Sequence, residues 1–569
     1  MRNRTARIIL SLTLLTVFFI PMSGCRSGME PADLVLTNGL VYTMDEKLPR
    51  ADALAVRGDI LIAVGSDEDI APFIDTGTQV MDLKGGVAVP GFIESHAHFM
   101  SIGRTRLKID LKETKTWEEV IEKVRAAVEN SPPDVWILGR GWHQAKWDHK
   151  PEPNVEGLPV HYKLSEVSPD NPVLLTHASG HSAIVNRKAM ELAGIDRDTP
   201  DPPGGEIVRD SSGEPIGVLR ETAQQLVSRV RENTWNEERS KELITLATDE
   251  CLSKGITTFQ DAGATFQEID LYKKLAEEGN LRLRLWVMIG EDNESISRHL
   301  SDYPIVGIGN HYLTVRAIKR LIDGALGSHG AWLFEPYSDL PNNRGLVTTD
   351  LETMAETANL AIENGFQFCT HAIGDRAVHE TLNIYETCFR DHSDSSDLRW
   401  RIEHAQHIQP DDVDRFAELG VIASMQGIHC TSDAPWVIQR LGEKRAEEGA
   451  YIWRKLLDAG TIVCNGTDAP VEDVSPIRCF YASVTRRLPD GTRFFPRQCM
   501  TREEALLSYT LHAAYAAFEE DIKGSLVPGK LADITVLSKD ILTVPEEEIQ
   551  EVAVVVTIVG GKIRYRSGI

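Results

Sequence analysis

Residues 90–100 read PGFIESHAHFM, an apolar extended run that ends on two histidines one residue apart. Val87, Ala88, Val89, Phe92 and Ile93 have the apolar content of a buried parallel strand, interrupted at Pro90-Gly91. Alternate residues of a strand face one side, so His96 and His98 aim their imidazoles at one point. Two imidazoles aimed together suit a divalent metal, provided the rest of the chain supplies further ligands.

Similar apolar runs recur at 255–263, 281–290, 313–324, 365–375, 399–406, 420–426 and 461–470. Helical stretches such as LETMAETANLAIENG (351–365) separate several of them. With 87–96 as the first strand, the series predicts eight strands at a spacing of about 30 residues, the pattern of a (β/α)8 TIM barrel. Two gaps break the rhythm. The first, about 104–240, is a large insertion after strand 1 that contains the helical stretch WEEVIEKVRAAVEN and polar, proline-rich connections. The second carries GALGSHGAWLFEPY (324–337) between strands 4 and 5. Insertions after barrel strands lie over the C-terminal face, where barrel active sites are built.

The polar residues at the strand ends follow the same register. His96 and His98 close strand 1, Lys319 lies on strand 4, His371 on strand 5, His404 on strand 6 and Asp468 on strand 8. His371 and His404 are 33 residues apart, about one repeat, and His404 and Asp468 are 64 apart, about two. Barrel geometry then points all of them at one axial site.

The termini are different in kind. Short strand-like runs with turn signals fill 33–82, and LADITVL (531–537) and VAVVVTIVGGKIRY (552–565) echo them. Both ends together predict a small β-sandwich domain, from 25–86 and 519–569, around a barrel spanning 87–518. Residues 1–24 have a basic start (Arg2, Arg4, Arg7), an apolar stretch and the small-residue ending Met22-Ser23-Gly24 before Cys25. That is a secretory signal whose ending resembles a bacterial lipobox, so Cys25 is the expected site of lipidation and the protein is expected in the cell envelope, lipid-anchored, with ordinary signal-peptidase cleavage or an uncleaved anchor as the alternatives. The net charge of −25 argues against nucleic acid as a partner and confines membrane contact to that anchor. A small-molecule substrate is the expected partner, with a homodimer left open. The seven cysteines after Cys25 show no regular spacing, so no disulfide framework is expected.

PGFIESHAHF, GRGWHQAKW, SGHSAIVNRKAM, KRLIDGALGS, THAIGD, RIEHAQ, NGTDAPV and GSLVPGKLADITVL together resemble the amidohydrolase superfamily. The likeness is to its YtcJ-like (amidohydrolase 3) branch, which includes N-substituted formamide deformylases, and it covers nearly the whole mature chain. Two positions depart from the pattern, Glu94 where Asp is common and Gly427 where Pro is common. The resemblance implies a metal-dependent hydrolase of non-peptide C–N bonds in linear amide, N-formyl or carbamoyl compounds, using one or two divalent ions, with zinc expected. It implies Asp468 as the group that takes a proton from the attacking water and returns it to the leaving nitrogen. His404 is either a ligand or an electrophile toward the carbonyl oxygen. His96, His98 and Asp468 would hold one ion, His371 and His404 a second, with Lys319 carboxylated as a bridge. His181, Trp142 and Trp147, in the insertion motifs, are candidates to reach the substrate. A deaminase of the same superfamily and a non-catalytic ligand-binding lipoprotein are the alternatives; no helix-borne HxE acid motif supports the former.

Overall fold

The computed structural model describes residues 30–178, 182–202, 204–232, 236–394 and 396–568. Its centre is a ring of eight parallel strands: β1 (Phe92–Ala97), β2 (Ile256–Ala264), β3 (Arg284–Ile289), β4 (Leu313–Leu321), β5 (Gln367–Ala372), β6 (Arg401–His404), β7 (Ile422–Gln426) and β8 (Val463–Gly466). They are hydrogen-bonded in chain order. Each falls within one of the eight apolar runs to within one residue, and β1, β3, β6, β7 and β8 are buried along their whole length, as strands sandwiched between helices and barrel interior must be.

The seam between β8 and β1 closes by other means than a regular ladder. The Asp468 N–H donates to His96 O at 2.8 Å and the His98 N–H to Ala469 O at 2.8 Å. The Glu94 carboxylate accepts the N–H groups of Thr467 (2.7 Å) and His96 (3.2 Å). Gly466 permits this approach, because a Cβ there would stand 2.5 Å from Glu94 Oε1. Glu94 thus staples the two ends of the sheet with its carboxylate. At Gly427 the N–H donates to Asn465 Oδ1 at 2.8 Å, a bond that a proline at that position would lack.

The run 87–96 proves to be two elements. Val87–Pro90 joins the terminal β-domain, pairing antiparallel with Ile534–Leu537, and only Phe92–Ala97 belongs to the barrel. The Pro90-Gly91 break is the point of transfer. The β-domain has a four-stranded sheet of N-terminal residues and a six-stranded sheet that mixes both termini. Their facing side chains, Leu36, Val56, Leu61, Ile534, Val536 and Ile558 among them, form one core. A buried ion pair joins this domain to the barrel: Arg284, at the start of β3, meets Asp533 at 2.7 Å.

The insertion has more order than its sequence suggested. Besides the helix Trp117–Glu129 it contains a six-stranded sheet running in space from Gly205–Arg209 to Ile109–Asp110, with its own hydrophobic clusters.

Candidate metal centre at the barrel mouth

His96 is the penultimate residue of β1, and His98 remains extended (φ −114°, ψ 95°) as the residue before the helix Phe99–Arg106. Asp261, in the C-terminal half of β2, fixes that turn, accepting the Phe99 N–H at 3.2 Å and the Tyr272 hydroxyl at 3.2 Å. From across the seam comes Asp468, held at φ +56° just beyond β8. Its Oδ1 lies 3.3 Å from His98 Nε2 and 3.7 Å from His96 Nε2. These three residues form one convergent group of donor atoms, all within 4.8 Å of one another.

The tautomers follow from what stands behind each ring. His96 Nδ1–H donates to Glu403 Oε2 at 2.5 Å, which leaves Nε2 as a lone pair. Burial alone would raise the Glu403 carboxyl, but the Arg401 guanidinium and the His96 ring outweigh it and hold the group well below the usual carboxylate range. His404 Nδ1 faces Gln426 Oε1 at 2.7 Å, and Gln426 Nε2 is committed to Ser424 O at 3.1 Å. The amide therefore accepts, His404 carries its proton on Nδ1, and its Nε2 is free to act as a ligand. His404 reaches the site because its backbone adopts φ +73°. Such a left-handed residue costs about 1–3 kcal/mol and persists only where its surroundings enforce it.

The His371 ring lies 4.4 Å from that of His404, yet its Nε2 is 3.6 Å from Asp323 Oδ1. Asp323 is itself clamped by the N–H groups of Trp332, Ile373 and Gly374 at 2.8–3.0 Å. Among the described residues a second convergent group of donor atoms is formed by His404, His429 and Asp468. His429, which begins the helix His429–Leu441 after β7, was absent from the sequence-based set. Lys319 on β4 is buried; desolvation lowers its pKa from the ordinary lysine value, while Glu403 and Asp468 oppose that shift.

Two expectations for the substrate pocket change. Trp142 and Trp147 belong to the insertion's core: they stack on each other at 6.0 Å, Trp117 packs on Trp147, and the Trp142 indole N–H donates to Leu175 O at 2.8 Å. Trp142, its polar handle satisfied internally, is a packing residue; Trp147 is buried in the same core, with its indole N–H unpaired among the described residues. His181 and Cys25 lie outside the described residues.

The residues fit a metal ion. His96 Nε2, His371 Nε2 and Asp468 Oδ1 are buried without a hydrogen-bond partner among the described residues, a concentration of orphaned polar atoms that a packed core avoids. Burial lowers the His96 pKa to about 4, with Lys319 adding to the shift, so the ring is neutral and can ligate at pH 7. For Asp468, burial opposes ionisation, but His98, whose Nε2 stands 3.3 Å from Oδ1, and the other neighbouring imidazoles bring its pKa down to about 2.

An eight-stranded α/β barrel with histidines and an aspartate gathered at the C-terminal ends of its strands defines a metal-dependent hydrolase. Residues 79–565 match the Amidohydrolase family, and the chain belongs to it. It is 35% identical to Protein LONG AFTER FAR-RED 3 of Arabidopsis thaliana, over 97% of this chain and 96% of that one. It is 30% identical to the putative amidohydrolase YtcJ of Bacillus subtilis (93% and 98%) and 29% identical to the N-substituted formamide deformylase of Arthrobacter pascens (94% and 98%). Among solved structures, an uncharacterized metal-dependent hydrolase from Pyrococcus furiosus superposes with a TM-score of 0.75 at 26% identity, covering 90% of this chain and 100% of that one.

Proposed function

We propose that the protein hydrolyses a non-peptide C–N bond in a small linear amide, N-formyl or carbamoyl compound. The convergence of His96, His98 and Asp468 at the mouth of the barrel carries this reading. The deformylase relative supports the bond type. His96, His98, Asp468 and His404 are the residues that would hold a divalent ion, with zinc the expected metal. When bound, such an ion supplies Lewis acidity, lowering the pKa of water toward neutrality and polarising a carbonyl. Asp468, kept anionic by its histidine neighbours, accepts a proton from water as the C–O bond forms. It then delivers that proton to the nitrogen as the C–N bond breaks, giving a carboxylic acid and an amine.

The same reading includes Lys319 as a carbamate. Desolvation favours the neutral amine, which adds to carbon dioxide with release of one proton and provides two anionic oxygens for a second ion. It also includes export and lipidation at Cys25, for which the support is the sequence of residues 1–25. Among the described residues no helix is long and apolar enough to cross a membrane.

The test is a screen of zinc-replete protein against N-formyl, N-acyl and carbamoyl amines, with Asp468→Asn beside the wild type. Turnover of at least one class by the wild type, with near-complete loss in the folded variant, is expected. A variant that hydrolyses at the wild-type rate would remove Asp468 from the mechanism.

A further inference from the structure

His429 stands among the candidate ligands, but it is supported differently from them. Behind His96 and His404 the Nδ1 atom meets an acceptor, the Glu403 carboxylate or the Gln426 carbonyl oxygen. Behind His429 the Nδ1 atom meets a donor, the Gln406 Nε2 amide at 3.1 Å. An amide N–H facing Nδ1 requires that nitrogen to be unprotonated, so the ring's proton sits on Nε2. Metal binding through Nε2 needs a lone pair, which this tautomer lacks. The His429 Nε2–H is buried, has no hydrogen-bond partner among the described residues, and lies 3.9 Å from Asp468 Oδ2, too far for a bond. Leaving such a donor buried and unmatched is unfavourable unless a ligand completes it. The ring is parallel to that of His404, with centroids 6.2 Å apart, and its Nε2, 3.9 Å from Asp468 Oδ2, belongs to the group of atoms converging at the barrel mouth.

We infer that His429 is a catalytic hydrogen-bond donor and not a metal ligand: its Nε2–H receives the substrate's carbonyl oxygen and stabilises the charge that develops there. His96, His404 and His429 are thus sorted by the group placed behind Nδ1, with an acceptor making a ligand and a donor making an electrophile. No proton is transferred by His429; the proton of the attacking water remains with Asp468. This inference rests on the hydrolytic reading above, and its test has readouts independent of turnover.

Zinc-loaded full-length wild type, His429→Ala, His429→Gln and His404→Ala would be compared in three ways. Zinc per chain after a chelator challenge should be unchanged in His429→Ala and sharply reduced in His404→Ala. Formate, a small carboxylate that can accept the same hydrogen bond, should bind zinc-loaded wild type by calorimetry and bind His429→Ala at least about 10-fold more weakly, with affinity partly restored by the amide donor of His429→Gln. Turnover of a simple N-alkylformamide should fall by roughly 10²–10³ in kcat for His429→Ala, the effect of removing one such donor. Zinc loss from His429→Ala equal to that from His404→Ala would make His429 a ligand and overturn the inference. Unchanged formate affinity, or a zinc-loaded wild type that does not bind formate, would overturn it too. If His429→Ala does not fold, His429→Gln decides: zinc retained with formate bound supports the donor, and zinc lost contradicts it. Wild type inactive on every N-alkylformamide would count against the proposed substrate class alone, with the zinc and formate results still deciding the role of His429.

Discussion

The Nδ1–H of His96 and the carboxylate of Glu403 meet at 2.5 Å with neither side chain exposed, and Arg401 Nε lies 2.8 Å from the other carboxylate oxygen. Arg401 also reaches Ser95 O at 2.7 Å and Ser424 Oγ at 2.8 Å, so one buried cation ties β1, β6 and β7 to the ligand they support. Glu403→Gln keeps the shape of the contact but removes the charge. It is expected to weaken zinc binding or activity by about 10–100-fold and, because Arg401 is left buried without its counter-charge, to lower stability by about 3–5 kcal/mol. Chelator competition and denaturant unfolding read the two effects separately.

Asp533→Asn tests the joint between the β-domain and the barrel. Burial alone would raise the Asp533 carboxyl, but the paired Arg284 guanidinium brings it below the ordinary aspartate value. A carboxylate depressed in this way stabilises the fold above its unfolded pKa of about 3.9, and the contribution is lost as pH falls through the lower folded value. The variant should lose about 3–5 kcal/mol near pH 7. Thermal unfolding measured against pH should show the gap between the two proteins closing below about pH 4. A gap that stays constant to pH 2 would contradict the assignment.

Lys319 should gain the mass of one carbon dioxide in protein prepared with bicarbonate and ample zinc, and should give a carbamate carbon signal after labelling with ¹³C-bicarbonate. Lys319→Ala should lose that signal and part of its metal. A free amine together with one ion per chain would leave Lys319 as a structural or substrate-contacting residue.

Cys25 should be the acylated N-terminus of the mature protein in its native host, and Cys25→Ser should yield an uncleaved or non-acylated form. Intact-mass analysis showing an unmodified Cys25 inside a longer chain would contradict the anchor.

The barrel and most of its site were legible because repetition makes them so. His371, His404 and Asp468 sit at multiples of the βα repeat, and His96 and His98 show the strand's period of two. Glu403 was harder to see. Adjacent residues of a regular strand face opposite sides, so Glu403 and His404 in RIEH could not both serve the site until the φ of +73° at His404 broke the alternation. His429 follows no period at all: it opens a helix beyond β7, and its role depends on Gln406, 23 residues away. The insertion's sheet escaped notice because its strands run from two to seven residues, too short to show a period between polar connections. Trp142 and Trp147 lie in insertion motifs, and a motif marks a residue without saying which way its ring points; both rings are buried in the insertion's core.

On the proposed mechanism His96, His98 and Asp468 together hold a catalytic metal ion. Diffraction from crystals of zinc-loaded protein, recorded on both sides of the zinc absorption edge, tests it most directly. The account predicts the strongest anomalous peak in contact with His96, His98 and Asp468, and its absence from crystals of His96→Ala. A strongest peak elsewhere, or one that survives the loss of His96 undiminished, would contradict it.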